Sequence, residues 1–183
     1  MSYRLTKIYT RTGDDGKTNL GTKDRFSKNS PRIEALGTLD ELNCALGVVL
    51  AQPGIPGDMH KLFTLIQHDL FNLGAELCPP YQPIVTDDKI QELEVQIDKW
   101  NEELEPLTEF VLPRGDLATA HCHMARAICR RAERRIVPLL DEDNFRITVL
   151  KYINRLSDWL FVAARILGKS HKQQEVLWDH EKR

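Results

Sequence analysis

No apolar run in this sequence approaches the length needed to span a bilayer. The opening residues, MSYRLTKIYTRTGDDG, contain no apolar h-region, so no secretory signal is read there. The four cysteines, Cys44, Cys78, Cys122 and Cys129, include no C-x-x-C pair. Three of them fall in helical patterns, and buried thiols in a reducing compartment are expected. Excess positive charge is missing too: the net charge is −2. That argues against a general nucleic-acid binder, whose basic charge is not confined to one patch. A cytoplasmic protein with neither membrane nor nucleic acid as partner is the expectation.

Familiar catalytic signatures are also absent. No G-x-x-x-x-G-K-[ST] spacing occurs, which excludes a Walker A loop. No Glu-x-x-His occurs, which disfavours a di-iron bundle. His121 and His123, two residues apart on a helix, point in different directions and cannot share a metal. No Ser/His/Asp order or reactive-cysteine context marks a nucleophile. No metal site made by the protein is expected.

What is present is helical periodicity in a chain of 183 residues, long enough for a real core. Pro31 is placed to start a helix, and Leu39, Leu42, Leu46, Val49 and Leu50 recur behind it at helical spacing. A second helix is read from Asp58 to Leu77, with Leu62, Leu65, Ile66, Leu70, Leu73 and Leu77 inward. A third opens near Thr86, with Ile90, Leu93, Ile97 and Trp100 as its stripe, and ends before Pro106. Phe110–Pro113 is a short extended piece. A fourth helix runs from about Asp116 to Pro138, and a fifth from about Asn144 to Leu167, with Gly168 as its terminator. Short links favour antiparallel neighbours, so the fold class is all-α, a five-helix bundle of ferritin-like up-down arrangement. No strand ladder is read. Residues 1–31 form an N-terminal segment, 32–168 the bundle and 169–183 a polar tail, all one domain.

Five arginines crowd the fourth helix between Arg126 and Arg135. A helix turns about 100° per residue, so Arg126, Arg130, Glu133 and Arg134 share about a third of its circumference. Ala125, Ile128, Cys129, Ala132, Ile136 and Leu139 take another face. Arginines at i,i+4 repel one another unless an anion or an acidic partner meets them. Their planar forks suit phosphate oxygens. The competing reading is a solvated face. On the last helix, Asn154, Asp158 and Arg165 form a polar stripe. On the first, Asp40, Asn43 and Gly47 line one face, where a carboxylate could meet an arginine. Thr10–Asn19 places two glycines among hydroxyls, carboxylates and a lysine. A tight hairpin fits that stretch better than a phosphate loop when it is read alone.

Taken together, five segments resemble one family: Thr6–Gly16 (TKIYTRTGDDG), Glu34–Leu42 (EALGTLDEL), Phe110–Pro113 (FVLP), His123–Arg134 (HMARAICRRAER) and Tyr152–Asp158 (YINRLSD). They look like the PduO-type ATP:cob(I)alamin adenosyltransferases, in the same order and over nearly the whole chain. Residues 52–105 carry no motif, and Arg114 stands where a small residue is common.

The resemblance implies a homotrimer of five-helix bundles with active sites between subunits. It implies an ordered N-terminal ATP-binding loop contributing Thr10, Arg11, Thr12, Gly13, Thr18, Asn19 and Lys28. Arg130, Arg131, Glu133 and Arg134 would meet ATP from the helix, and Asn154 from the last helix. Arg126 would pair with Asp40 across the interface, and Phe110 would lie beneath the corrin. The implied reaction moves the 5′-deoxyadenosyl group of ATP to cobalt of cob(I)alamin, with Mg²⁺ bound through the triphosphate. A reductase and a cobalamin-dependent enzyme are the implied partners. The rival reading is a helical module that binds nucleotide or corrinoid without catalysis.

Overall fold

The computed structural model describes residues 7–142 and 145–182. Thr6, which opens the first of the five family-like segments, and Asn144, the expected start of the last helix, lie outside them. Five helices come in order: α1 Pro31–Leu50, α2 Gly57–Glu76, α3 Asp87–Asn101, α4 Leu117–Ile136 and α5 Ile147–Ser170. Before them lies a small antiparallel pair, β1 Lys17–Asn19 and β2 Arg25–Ser27, with Thr18 opposite Phe26. This pair corrects the expectation of no strand ladder. It is too short to show a periodic pattern, and its turn is set by residues such as Gly21, which has a positive φ of 85°.

Local chemistry accounts for the helix starts. Pro31 takes the first helical position of α1, and Glu34 lies in its first turn. Asp87 and Asp88 open α3, and Lys99 lies in its last turn. Asp116 caps α4 by accepting from Thr119 N at 2.9 Å. The preceding Gly115 has φ 147°, and a Cβ there would come within 2.8 Å of Thr119. Only glycine fits this corner.

The helices pack in the order α2, α1, α4, α5, α3. Trp159 of α5 closes the bundle, with ring centroids 5.0 Å from both Phe63 of α2 and Trp100 of α3. Cys122 and Cys129 of α4 sit wholly inside, their thiols reaching Leu160 O and Ile153 O of α5 at 3.4 and 3.3 Å. Burial pushes both thiols far above the usual range, so they behave as small core side chains. Cys44 is exposed and Cys78 partly so, which corrects the expectation for those two.

Other corrections come from packing. Leu65 is exposed. The buried stripe of α2 runs through Met59, Phe63, Ile66, Leu70 and Leu73, and Leu65 lies about 100° off it. α5 does not stop at Gly168 but continues to Ser170, with Gly168 buried against Thr119. Arg165 is buried rather than part of a surface stripe, because the segment before α4 and the chain after α5 both cover it.

Candidate active site

The N-terminal loop is organised by one cation. Arg25 on β2 forks onto both carboxylate oxygens of Asp15, at 2.8 and 2.7 Å, and also donates to Thr12 O. Lys28 Nζ donates to Gly13 O at 2.9 Å. Arg11 has φ 61°, and Thr10 and Thr12 share a hydroxyl–hydroxyl bond of 2.8 Å. Asn19 ties its own turn by accepting from Gly21 N at 2.6 Å and donating to Thr22 O. Thr10, Arg11, Thr12, Gly13, Thr18, Asn19 and Lys28 are thus gathered in one loop and hairpin. Sequence reading did not single out Arg25. Its signal was available: a cation in a short strand, downstream of paired aspartates. Among the described residues, no hydrogen bond or ion pair joins this loop to α4.

The arginines of α4 divide by direction. Arg131 pairs with Glu41 of α1, and Arg135 approaches Glu34 at 3.7 Å. The α1 carboxylates that meet arginines of α4 in their own chain are therefore Glu41 and Glu34, not Asp40. Arg130 and Arg134 are exposed, and among the described residues neither makes an ion pair or hydrogen bond. Beside them, Asn154 of α5 donates to Glu133 Oε1 at 2.7 Å. This bond fixes an acidic acceptor and an amide next to two unengaged guanidiniums. The array suits a polyanion that also presents donors.

Arg126 turns toward a different place. It lines an open cleft of about 490 Å³ together with Leu107, Thr108, Glu109, Phe110, Val111 and Phe161, the Glu109 carboxylate accepting from Phe110 N at 2.8 Å. Its guanidinium stands 5.9 Å from the Phe161 ring centre, and its Nε is buried without a hydrogen-bond partner among the described residues. Burial, together with repulsion from Arg130, lowers its pKa. Phe110 is 76 % exposed, an unusual setting for a phenyl ring. His123 packs near Phe161, and burial holds its pKa down to about 4, so it is neutral at pH 7.

Asp40 is not in that cleft. It is exposed on α1 and lines a groove of about 270 Å³ with Leu36, Asn43, Leu70, Phe71 and Gly74. Among the described residues, no contact joins Asp40 to Arg126 within one chain. No group of three or more His, Cys, Asp or Glu side chains among the described residues could hold a metal ion.

Sequence reading also missed where the chain goes after α5. Val111 and Leu177 form an antiparallel bridge, Trp178 N donates to Phe110 O at 2.7 Å, and the Trp178 and Phe110 rings lie 6.4 Å apart. Trp178 was the one legible sign that this polar tail is ordered.

Comparison with known proteins places the chain in a family. The family model described as cobalamin adenosyltransferase matches residues 8–167. A cobalamin adenosyltransferase of Cupriavidus metallidurans is 43% identical over 182 residues, covering 100% of this chain and 99% of the relative. A corrinoid adenosyltransferase of Bacillus subtilis is 42% identical, covering 88% of this chain and 86% of the relative. Among solved structures, a variant PduO-type ATP:corrinoid adenosyltransferase from Lactobacillus reuteri, complexed with cobalamin and ATP, superposes with a TM-score of 0.88. It is 34% identical, with 95% of this chain and 97% of that chain covered. The chain belongs to the cobalamin adenosyltransferase family.

Proposed function

We propose that this protein transfers the 5′-deoxyadenosyl group of ATP to cobalt of cob(I)alamin, releasing triphosphate. The observation that carries this reading is the cleft. One α4 helix presents Arg126 beside an exposed Phe110, and over the next two turns it presents two unengaged arginines beside the Glu133–Asn154 pair. An apolar platform next to an anion grip suits a flat corrinoid held against a triphosphate.

Cobalt(I) is the nucleophile and arrives with the substrate. Its electron pair attacks C5′ of ATP, the C5′–O5′ bond breaks, and triphosphate leaves with the bonding pair as the Co–C bond forms. Arg130, Arg131 and Arg134 stabilise the charge on the leaving group. Arg131 exchanges Glu41 for phosphate oxygens, or shares itself between them. Glu133 and Asn154 hold the nucleoside. The loop residues Thr10, Arg11, Thr12, Gly13, Thr18, Asn19 and Lys28 close over the nucleotide. Mg²⁺ travels with the triphosphate. When bound there it adds charge neutralisation to that of the arginines. Phe110 lies beneath the corrin and keeps a lower ligand from cobalt, which eases reduction of cobalt(II) before transfer.

A homotrimer completes the reading. Among the described residues no hydrogen bond or ion pair joins the loop to α4 within one chain, and Asp40 and Arg126 line separate grooves. Asp40 of one subunit meets the orphaned Arg126 of the next and fixes the corrinoid against C5′. No helix among the described residues is long and apolar enough to cross a membrane, and the four cysteines are free thiols. We place the protein in the cytoplasm, supplied by a reductase and serving a cobalamin-dependent enzyme.

The test is spectral. Purified protein with ATP, Mg²⁺ and chemically reduced cobalamin is expected to produce the adenosylcobalamin spectrum. ATP binding without that product would sink the reading and favour a binding module.

A further inference from the structure

Phe110 has almost nothing around its ring to hold it. It is 76 % exposed, and Trp178, 6.4 Å away, is its aromatic neighbour. Its main chain is held instead. Leu112 N donates to Val176 O at 2.8 Å, and Trp178 N donates to Phe110 O at 2.7 Å. Residues 176–178 therefore run as a short antiparallel strap beside Phe110–Leu112. A ladder this short is marginal by itself and needs an anchor.

That anchor is Arg165. Its side chain is 4 % exposed, and its fork takes both carboxylate oxygens of Glu175, Nε to Oε1 at 2.6 Å and Nη2 to Oε2 at 3.0 Å. The same Nη2 donates to Glu105 O at 2.7 Å. One buried guanidinium on α5 thus grips the strap just before it meets Val111, and also grips the loop that leads into Phe110. Lys169 adds a bond to Glu103 O in the same loop. A paired, bidentate, buried guanidinium is rigid, since lifting the strap would strand its charge.

We propose that Arg165 and Glu175 are positioning residues for Phe110. They fix the main chain from both sides and so set the height of the phenyl ring under the corrinoid. This rests on Phe110 lying beneath the corrin, as the proposed function has it. Arg165 and Glu175 line one small cavity with Val111 and with Thr119 and His123 of the first two turns of α4, whereas the arginines assigned to triphosphate lie in its last two turns, so the effect is expected on the corrinoid.

The experiment uses the full chain in five forms: wild type, Phe110→Ala, Glu175→Gln, the double replacement Arg165→Met with Glu175→Leu, and that double replacement combined with Phe110→Ala. The double replacement removes both charges together and leaves no orphaned one to unfold the protein. Initial rates are taken against cobalamin and against ATP, starting from cobalt(I) and from cobalt(II) with reductant. The double replacement is expected to raise KM for cobalamin about tenfold while KM for ATP moves less than about twofold. The loss is expected to be larger from cobalt(II), and Glu175→Gln, which keeps a hydrogen bond to Nε, recovers part of it. Adding Phe110→Ala to the double replacement is expected to cost nothing further, because both act through one ring. Additive losses, equal rises in both KM values, or unchanged corrinoid kinetics overturn the proposal. If Phe110→Ala alone leaves corrinoid kinetics untouched, the role of Phe110 falls first and this inference with it.

Discussion

Replacing Arg126 with methionine tests which copy of the chain completes the site. Within one chain, Arg126 Nε is buried with no hydrogen-bond partner among the described residues. An unsatisfied buried donor costs about 1–3 kcal/mol. The Phe161 ring at 5.9 Å offsets about 0.5–1 kcal/mol of that. Methionine is apolar and of comparable reach, so in a lone chain Arg126→Met leaves stability unchanged or raises it by about 1–2 kcal/mol. Where Asp40 of a second subunit meets Arg126, the sign reverses, since removing one member of a buried pair costs about 3–5 kcal/mol. The assay is urea denaturation at several protein concentrations for Arg126→Met, Asp40→Asn and the double variant. A cross-subunit pair gives a coupling energy above about 1.5 kcal/mol and midpoints that depend on concentration. Residues with no shared partner add to within about 0.5 kcal/mol. Each single variant is also expected to lose about 10²-fold or more in transfer rate, because misplacement of the reacting atoms is that costly. Additive stabilities with undiminished transfer refute the reasoning.

Further outcomes concern separate parts of the molecule. Asn154→Ala removes the 2.7 Å bond to Glu133 and is expected to raise KM for ATP about tenfold, with KM for cobalamin little changed; steady-state kinetics decide. Buried Glu76 accepts from Ile84 N at 2.9 Å, from Val85 N and from Arg146 at 2.6 Å. Glu76→Ala strands Arg146 and is expected to cost about 3–5 kcal/mol in urea denaturation, without changing the KM of the folded fraction. His171 donates to Gly54 O and to Asp116, which raise its pKa above 6.5. The protonated ring is the bridging form, so its contribution is complete below 6.5 and disappears as pH rises through the higher folded value. Wild type is therefore expected to lose its stability advantage over His171→Gln as pH climbs above 6.5 through the raised folded value; an advantage that grows with pH contradicts the bridge. Phe110→Ala is expected to slow turnover more from cobalt(II) than from pre-formed cobalt(I), and equal losses would remove its assigned role.

The helices were legible because burial on one face leaves a period in the sequence. The stripe of α4 shows this: Cys122, Ala125, Cys129, Ala132 and Ile136 are all buried, as their spacing requires. Helix ends were less legible. Gly168 reads as a terminator by local chemistry, but packing against Thr119 carries α5 past it. Arg165 reads as surface by its charge, but two distant segments bury it and supply its partners. Arg131 shares its helix with Arg130 and points to Glu41 instead.

By itself, the sequence determined which residues lie on which face of each helix, because that is a matter of angle along one chain. It also put the chemistry-bearing residue types in an order resembling one family. Tertiary structure alone decided how the arginines of α4 divide between Glu41, the open surface and the Phe110 cleft. It alone drew residues 175–178 back beside Phe110, and left Arg126 Nε without a hydrogen-bond partner among the described residues. These depend on which elements become neighbours, and contacts between residues dozens of positions apart leave no period to read.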